Sequence, residues 1–231
     1  MRQAWDYFLS DIARYAHVLG RSRWVVLFFA QGAQASLVYR IGHWLYGLQP
    51  RLLPLRIVLK IVLVFYFVLF RLTEIVTGIS LEPKARIGRG LYIGHFGGII
   101  VGSGVTLGDY CNLSQGVTLG VDGRGERRGS PQVGDRVFIG PGAKVLGHIQ
   151  IGSDAVIGAN AVVVRSLPER AVAGGIPAKV LSYRGSFDFV TYDGMERDEA
   201  RVRSLALGMQ NVPPAGLGVG DADEDQKAEG Q

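Results

Sequence analysis

The chain has a single cysteine, Cys111, so no disulfide can form within it, and a reducing cytoplasm suits its chemistry. Its four histidines, His17, His43, His95 and His148, stand far apart and show none of the spacings that hold a metal, so no metal site is expected. Asp6 and Asp11 interrupt the N-terminus, which lacks a basic start, an apolar run and a small-residue cleavage site; no secretory signal is read there. No nucleic-acid motif accompanies the basic residues, and nucleic acid is not expected as a partner. The most apolar run, IVLVFYFVLF at residues 61–70, is only ten residues long. Spanning a bilayer takes about 20.

What the chain does have is unevenly spread. Residues 1–78 carry nine Lys/Arg against three Asp/Glu, whereas residues 221–231 carry five acids and one lysine. The basic part suits anionic partners such as acidic lipid or phosphorylated ligands. The acidic end reads as a disordered, solvated tail. Aromatic and aliphatic residues recur at helical spacing through residues 1–78 and predict helices over 3–19, 24–48 and 52–77. In the last of these, Arg56, Lys60, Arg71 and Glu74 fall within about 60° of one another, one charged stripe on an otherwise greasy helix. Two readings stand. The helix is buried against other helices or subunits, or it lies peripherally on a membrane surface with its basic stripe at the headgroups.

Glycine is abundant, 33 residues scattered singly through hydrophobic sequence. From Leu81 onward an aliphatic residue returns every six positions: Leu81, Ile87, Ile93, Val101, Leu107, Leu113 and Leu119, then Val133, Ile139, Val145, Ile151, Ile157 and Val163. Nine of these thirteen are followed directly by glycine, which is expected to permit a tight corner. A period of six fits neither a helix of 3.6 residues per turn nor a hairpin. It fits a parallel β-helix whose aliphatic residues stack into a continuous interior. The expected fold class is therefore α+β, with a helical section over 1–78, a solenoid over 79–183 and an extension over 184–231.

The period breaks twice. The step from Ile93 to Val101 is eight residues and carries His95, Gly97 and Gly98. The step from Leu119 to Val133 is fourteen, read as two hexads plus two, and its polar stretch VDGRGERRGSPQ should project as a loop. Arg124, Arg127 and Arg128 in that loop are candidates to meet an anionic substrate.

Hexads of the form [LIV]-G-x-x-x-x, a projecting loop, the stretches IGRGLYIGHFGG, LSQGVTLG and IGPGAKVLG, and the exit AGGIPAKV together resemble the left-handed β-helix acyltransferases, nearest the serine O-acetyltransferase-like enzymes. The resemblance spans residues 79–181. It implies a homotrimer that moves an acetyl group from acetyl-CoA to an acceptor hydroxyl in a cleft between subunits. The family's catalytic histidine falls on His95. Imidazole titrates near working pH, at about 6.5, and can take the hydroxyl proton as the thioester is attacked. Backbone N–H groups of the glycine turn can serve the oxyanion, and Gly97 and Gly98 would let substrate approach closely. By the same resemblance Gly140, Ala143, Lys144 and Lys179 are assigned to the cofactor.

Several departures bear on the acceptor. Serine acetyltransferases usually keep an aspartate where this chain has Gly94, an aspartate at Ser80 and a histidine at Glu82, and a histidine where Ser130 precedes Pro131. Glu82 is expected to orient His95 instead, with Gln115 stacked one coil beyond. The groups that would hold a zwitterionic amino acid are thus largely missing. The leading expectation is acetylation of a sugar hydroxyl on an envelope or exported polysaccharide precursor, in the cytoplasm or on the inner face of its membrane. Serine acetylation for cysteine synthesis is the alternative, and a catalytically silent trimeric scaffold is the third.

Overall fold

In the computed structural model, which describes residues 2–123 and 128–214, all thirteen aliphatic hexad starts are buried in one narrow interior. Three sheets wall it. The first stacks β1 (Ile79–Leu81), β4 (Ile99–Val101), β7 (Thr118–Gly120), β10 (Lys144–Leu146) and β13 (Val162–Val163). The second stacks β2 (Arg86–Ile87), β5 (Thr106–Leu107), β8 (Gln132–Val133) and β11 (Gln150–Ile151). The third stacks β3 (Tyr92–Ile93), β6 (Asn112–Leu113), β9 (Phe138–Ile139) and β12 (Val156–Ile157), and ends in β14 (Val172–Gly175) and β15 (Ala178–Ser182). Every pairing in the stack is parallel except the last, where β15 runs antiparallel to β14.

The register shows where each irregularity goes. A regular coil pairs Gln132 with Gln150 and Lys144 with Val162, a step of 18. Across the first break Ile79 pairs with Ile99 and Tyr92 with Asn112, a step of 20. Across the second, Thr106 pairs with Gln132 and Thr118 with Lys144, a step of 26. The fourteen-residue gap is therefore one hexad plus eight, not two hexads plus two. The insertion leaves at a single corner, between β7 and β8, where Asp122 and Gly129 form an antiparallel neck.

The glycines that follow the aliphatic residues correct a second expectation. Gly88, Gly108 and Gly134 do not adopt left-handed backbone. They are small because the next coil passes close: a Cβ on Gly88 would lie 2.6 Å from the Gly108 carbonyl, and one on Gly108 as close to that of Gly134. Left-handed turns come later in the hexad, at Tyr110, Arg136, Asp154 and Arg170 along one corner.

The helical section comprises α1 (Arg2–Leu19), α2 (Arg23–Phe29), α3 (Gln31–Gly47) and α4 (Leu53–Thr77). The single helix expected over 24–48 is broken at Ala30, whose extended backbone (φ −89°, ψ 103°) redirects the chain. The break brings α3 down onto the first coil at Gly32, where a Cβ would meet the Tyr15 hydroxyl at 2.2 Å and Ile93 at 2.7 Å.

The first coil has no preceding coil to satisfy its backbone, and buried peptide groups must find partners. Side chains of α1 and α3 supply them. Tyr15 accepts from the Ile93 N–H (2.8 Å) and donates to its carbonyl (3.1 Å). Tyr39 does the same between the Ile87 N–H (3.1 Å) and the Ala85 carbonyl (2.8 Å). Asp11 accepts from the Leu91 N–H (2.9 Å), while Arg40 joins Asp11 to the carbonyls of Ile87 and Gly88. Arg14 donates to the carbonyls of Gly90 and Cys111.

At its other end the chain packs back along the last coils before its C-terminal extension. It packs Phe189 against Phe138 and forms α5 (Glu199–Met209), N-capped by Asp198. The acidic stretch 221–231 lies outside the described residues.

Candidate active site

The two-residue slip places His95 on an exposed turn, residues 94–98, between β3 and β4. Tyr15 pins the strand just before the turn, and the Gly97 N–H bonds the Thr77 carbonyl (3.0 Å) just after it. That bond removes Gly97 from the expected set of oxyanion donors. Gly97 and Gly98 both take left-handed backbone, φ 98° and 66°, which is why side chains are absent here. A Cβ on Gly97 would meet nothing within 4 Å, so the turn is open to a ligand at that point.

Gln115 stacks one coil beyond His95, as the register of Ile93 on Leu113 requires. Its buried Oε1 has no hydrogen-bond partner. The same corner continues through Gly116 and Gly142, whose backbones stack so closely that a Cβ on Gly116 would lie 3.3 Å from the Gly142 Cα. The corner ends where Gly174 pairs with Lys179. Along this edge, four coils or about 19 Å at the usual strand spacing, Gly98, Gly116 and Gly142 leave bare backbone beside Gln115, Pro141 and Asn160. The missing Cβ atoms make a shallow groove in one chain, with the exposed Lys179 near its end.

The sequence-derived cofactor residues divide on this edge. Lys179 is exposed and reachable. The ammonium of Lys144 is drawn inward, donating to the Gly116 carbonyl (2.6 Å) and the Thr118 hydroxyl (3.0 Å), and so braces the groove's wall. Gly140 is buried against the Ile157 carbonyl, and Ala143 sits wholly in the core. The Ala143 side chain cannot touch a ligand, since its place in the hexad points it inward.

Glu82 does not lie beside His95 within one chain. It occupies the corner between β1 and β2, the same corner from which the neck of the projecting loop leaves two coils on, whereas His95 occupies the corner between β3 and β4. The two corners are opposite edges of the β1–β4–β7–β10–β13 sheet. Of the loop arginines, Arg128 is exposed at the neck, while Arg124 and Arg127 lie outside the described residues. His148 packs under the neck against Gly129.

Sequence reasoning missed the other wall of the His95 turn. A cleft of about 290 Å³ opens between the turn and the α2–α3 break, lined by Leu19, Phe29, Gln31, Tyr92, His95 and Phe96, among others. No carboxylate or Lys/Arg side chain lines it. Only the helix break at Ala30 brings Phe29 there, and a continuous-helix reading hides it. Cys111 is no competing nucleophile: burial in the solenoid interior pushes its thiol up to about 12.

Known proteins resemble this chain in sequence and fold. A model of the bacterial transferase hexapeptide family (six repeats) matches residues 130–165. A serine acetyltransferase of Synechococcus elongatus is 37% identical over 201 residues, covering 82% of this chain and 78% of its own. The crystal structure of serine acetyltransferase from Neisseria gonorrhoeae matches with a TM-score of 0.66 at 32% identity, over 78% of this chain and 68% of that one. A serine acetyltransferase in complex with CoA matches with a TM-score of 0.64 at 31% identity, over 78% and 70%.

Proposed function

The chain belongs to the serine acetyltransferase family of left-handed β-helix hexapeptide-repeat enzymes, and from that premise we propose that it transfers the acetyl group of acetyl-CoA to the side-chain hydroxyl of serine. The observation that carries the reading is His95, exposed on the one turn where the solenoid gains two residues, at the head of a side-chain-poor groove. His95 takes the proton from the acceptor hydroxyl as its oxygen attacks the thioester carbonyl. The tetrahedral intermediate collapses to the ester, and the departing CoA thiolate recovers the proton from the imidazolium. The Gly98 N–H, which makes no backbone hydrogen bond among the described residues, is the donor nearest to hand for the oxyanion. Acetyl-CoA lies along the Gly98–Gly116–Gly142 edge, with Lys179 at its far end.

The working unit is a homotrimer. His95 and the pair Glu82 and Arg128 stand on opposite edges of one face, and a neighbouring subunit can bring one chain's loop corner to another's His95. Light scattering in solution that gave a monomer would overturn this part of the reading.

A second reading, transfer to a sugar hydroxyl of an envelope polysaccharide precursor, is favoured by one observation. The His95 cleft holds no carboxylate to pair an α-ammonium, and Gly94 and Ser80 contribute none. Thiol release from acetyl-CoA, assayed with L-serine and with N-acetylglucosamine, decides between them. Serine-dependent turnover, falling by about 10²–10⁴ in His95→Ala, is the expected result. Turnover with the sugar and none with serine would transfer the assignment to the second reading.

A further inference from the structure

Helix α4 is the least explained element of the molecule. Its contact with α3 uses Leu59, Leu63, Tyr66 and Phe70, one narrow face. The expectation of a buried helix fails within this chain: only Tyr66, Phe70 and Thr77 are buried. Opposite the α3 contact runs an uncharged arc about 160° wide at 100° per residue. Its members include Ile61, Val64, Phe65, Val68, Leu72 and Ile75, which are 52, 64, 71, 52, 54 and 79% exposed. A contiguous apolar surface of this size marks an interaction site.

Charge identifies the occupant. Arg56 and Lys60 border the arc on the side nearest the protein and share an open cleft with Arg51. The helix's one acid, Glu74, is already paired with Arg71 at 2.7 Å. A second copy docked on the arc would bring like charges together at its border, with no acid left to answer them. A bilayer with anionic headgroups suits both arc and border: acyl chains accept the arc, and headgroups meet the cations at its edge. Helix α2, which packs on α1 and α3, has the same chemistry: Trp24, Phe28 and Phe29 are 72, 67 and 80% exposed, and Arg21 and Arg23 stand at its N-terminal end.

We propose that α4, aided by the aromatic edge of α2, docks the enzyme flat on an anionic membrane surface. At 25 residues, Leu53–Thr77, the helix is long and apolar enough to cross a bilayer. It does not cross, because it is held along α3, and α3 is tied by Tyr39 and Arg40 to the first coil. Entry end-on would drag the buried Asp11–Arg40 pair into hydrocarbon. Phe29 belongs both to the exposed aromatic edge and to the His95 cleft, so the cleft opens beside the docking edge. The inference does not depend on which hydroxyl is acetylated.

Co-sedimentation of the full chain with vesicles tests it. The protein should pellet with phosphatidylcholine vesicles containing about a third phosphatidylglycerol and bind pure phosphatidylcholine at least tenfold more weakly. Arg56→Gln and Lys60→Gln should each lower partitioning about fivefold, the effect of one cation near an anionic surface. Phe65→Glu should abolish binding and leave elution volume and acetyl-CoA turnover unchanged; the milder Val64→Ser should weaken binding severalfold, and serves if the glutamate variant misfolds. Wild-type protein that stays in the supernatant at low salt would overturn the proposal. So would a Phe65→Glu variant that shrinks to a smaller oligomer while vesicles bind neither form, which would assign the arc to a second copy. Resistance of the native protein to alkaline carbonate extraction would overturn it in favour of a spanning helix.

Discussion

The solenoid and the helical section are built inside out with respect to each other. Between β1 and β13 the interior is one aliphatic file, with Val101, Leu119, Ile139 and Val145 fully buried; the charged side chains lie outside that file, and Arg136 and Asp154 are buried at an outer corner beneath the C-terminal extension. In the helices the most buried side chains include Asp11, Arg14 and Arg40, whereas Trp24, Phe65 and Ile75 face outward. The solenoid folds around itself, and each coil needs only its neighbours. The helical section spends its polar groups on the first coil and leaves its apolar surface for something outside the chain.

That contrast can be broken at the joint. Asp11→Ala leaves the Arg40 guanidinium buried without its carboxylate and the Leu91 N–H without an acceptor. The expected cost is about 3–5 kcal/mol, read as a fall in the urea midpoint. A loss near zero would show the helices to be merely attached. On the solenoid side, Gly108→Val forces a side chain against the Gly134 backbone, which a single Cβ would approach at 2.6 Å. A cost of about 1–3 kcal/mol in the same titration is expected from overpacking.

The smallest effect belongs to the C-terminal extension, where neither logic applies. Asp198 caps α5 and accepts from the Tyr192 hydroxyl at 2.6 Å, with Arg136 at 3.5 Å. Burial alone would raise its carboxyl, but those donors and the Arg201 N–H outweigh it and hold the group below the usual carboxylate range. A depressed folded value adds stability above the unfolded value of about 3.9 and loses it as pH falls through the folded one. Asp198→Asn should therefore cost no more than about 1 kcal/mol at pH 7. The wild-type and variant melting curves should converge in strong acid.

Legibility followed the same division. The thirteen hexad starts could be read from the sequence because each is fixed by a local period that no distant contact can shift. His95 could be read because it interrupts that period. The eight-residue loop was misjudged because sequence spacing counts residues but not which of them stay in the coil. The break at Ala30 has no proline to announce it, and Gly32 just beyond it lies inside α3; the break follows from Gly32 packing on Ile93, a contact 61 positions away in sequence. The apolar cleft beside His95 stayed hidden for the same reason. Ala143 shares the inward hexad position of Val117 and Ala161, which the period itself marks, whereas nothing in the sequence tells that Lys144 turns to its own carbonyl neighbours. α5 is short, and its capping Asp198 is meaningful only beside Tyr192 and Arg136.

A stack of identical units has no length of its own. Each coil offers the next the same edge it received, and nothing in a hexad says when to stop. This molecule measures itself with two unlike rulers. At one end, hydroxyls, a carboxylate and guanidinium groups occupy the places another coil would take. At the other, β15 turns back against β14 and reverses the direction every earlier strand obeyed. The number of coils, and with it the reach of the groove below His95, is thus written at the ends of the solenoid and not in the repeat.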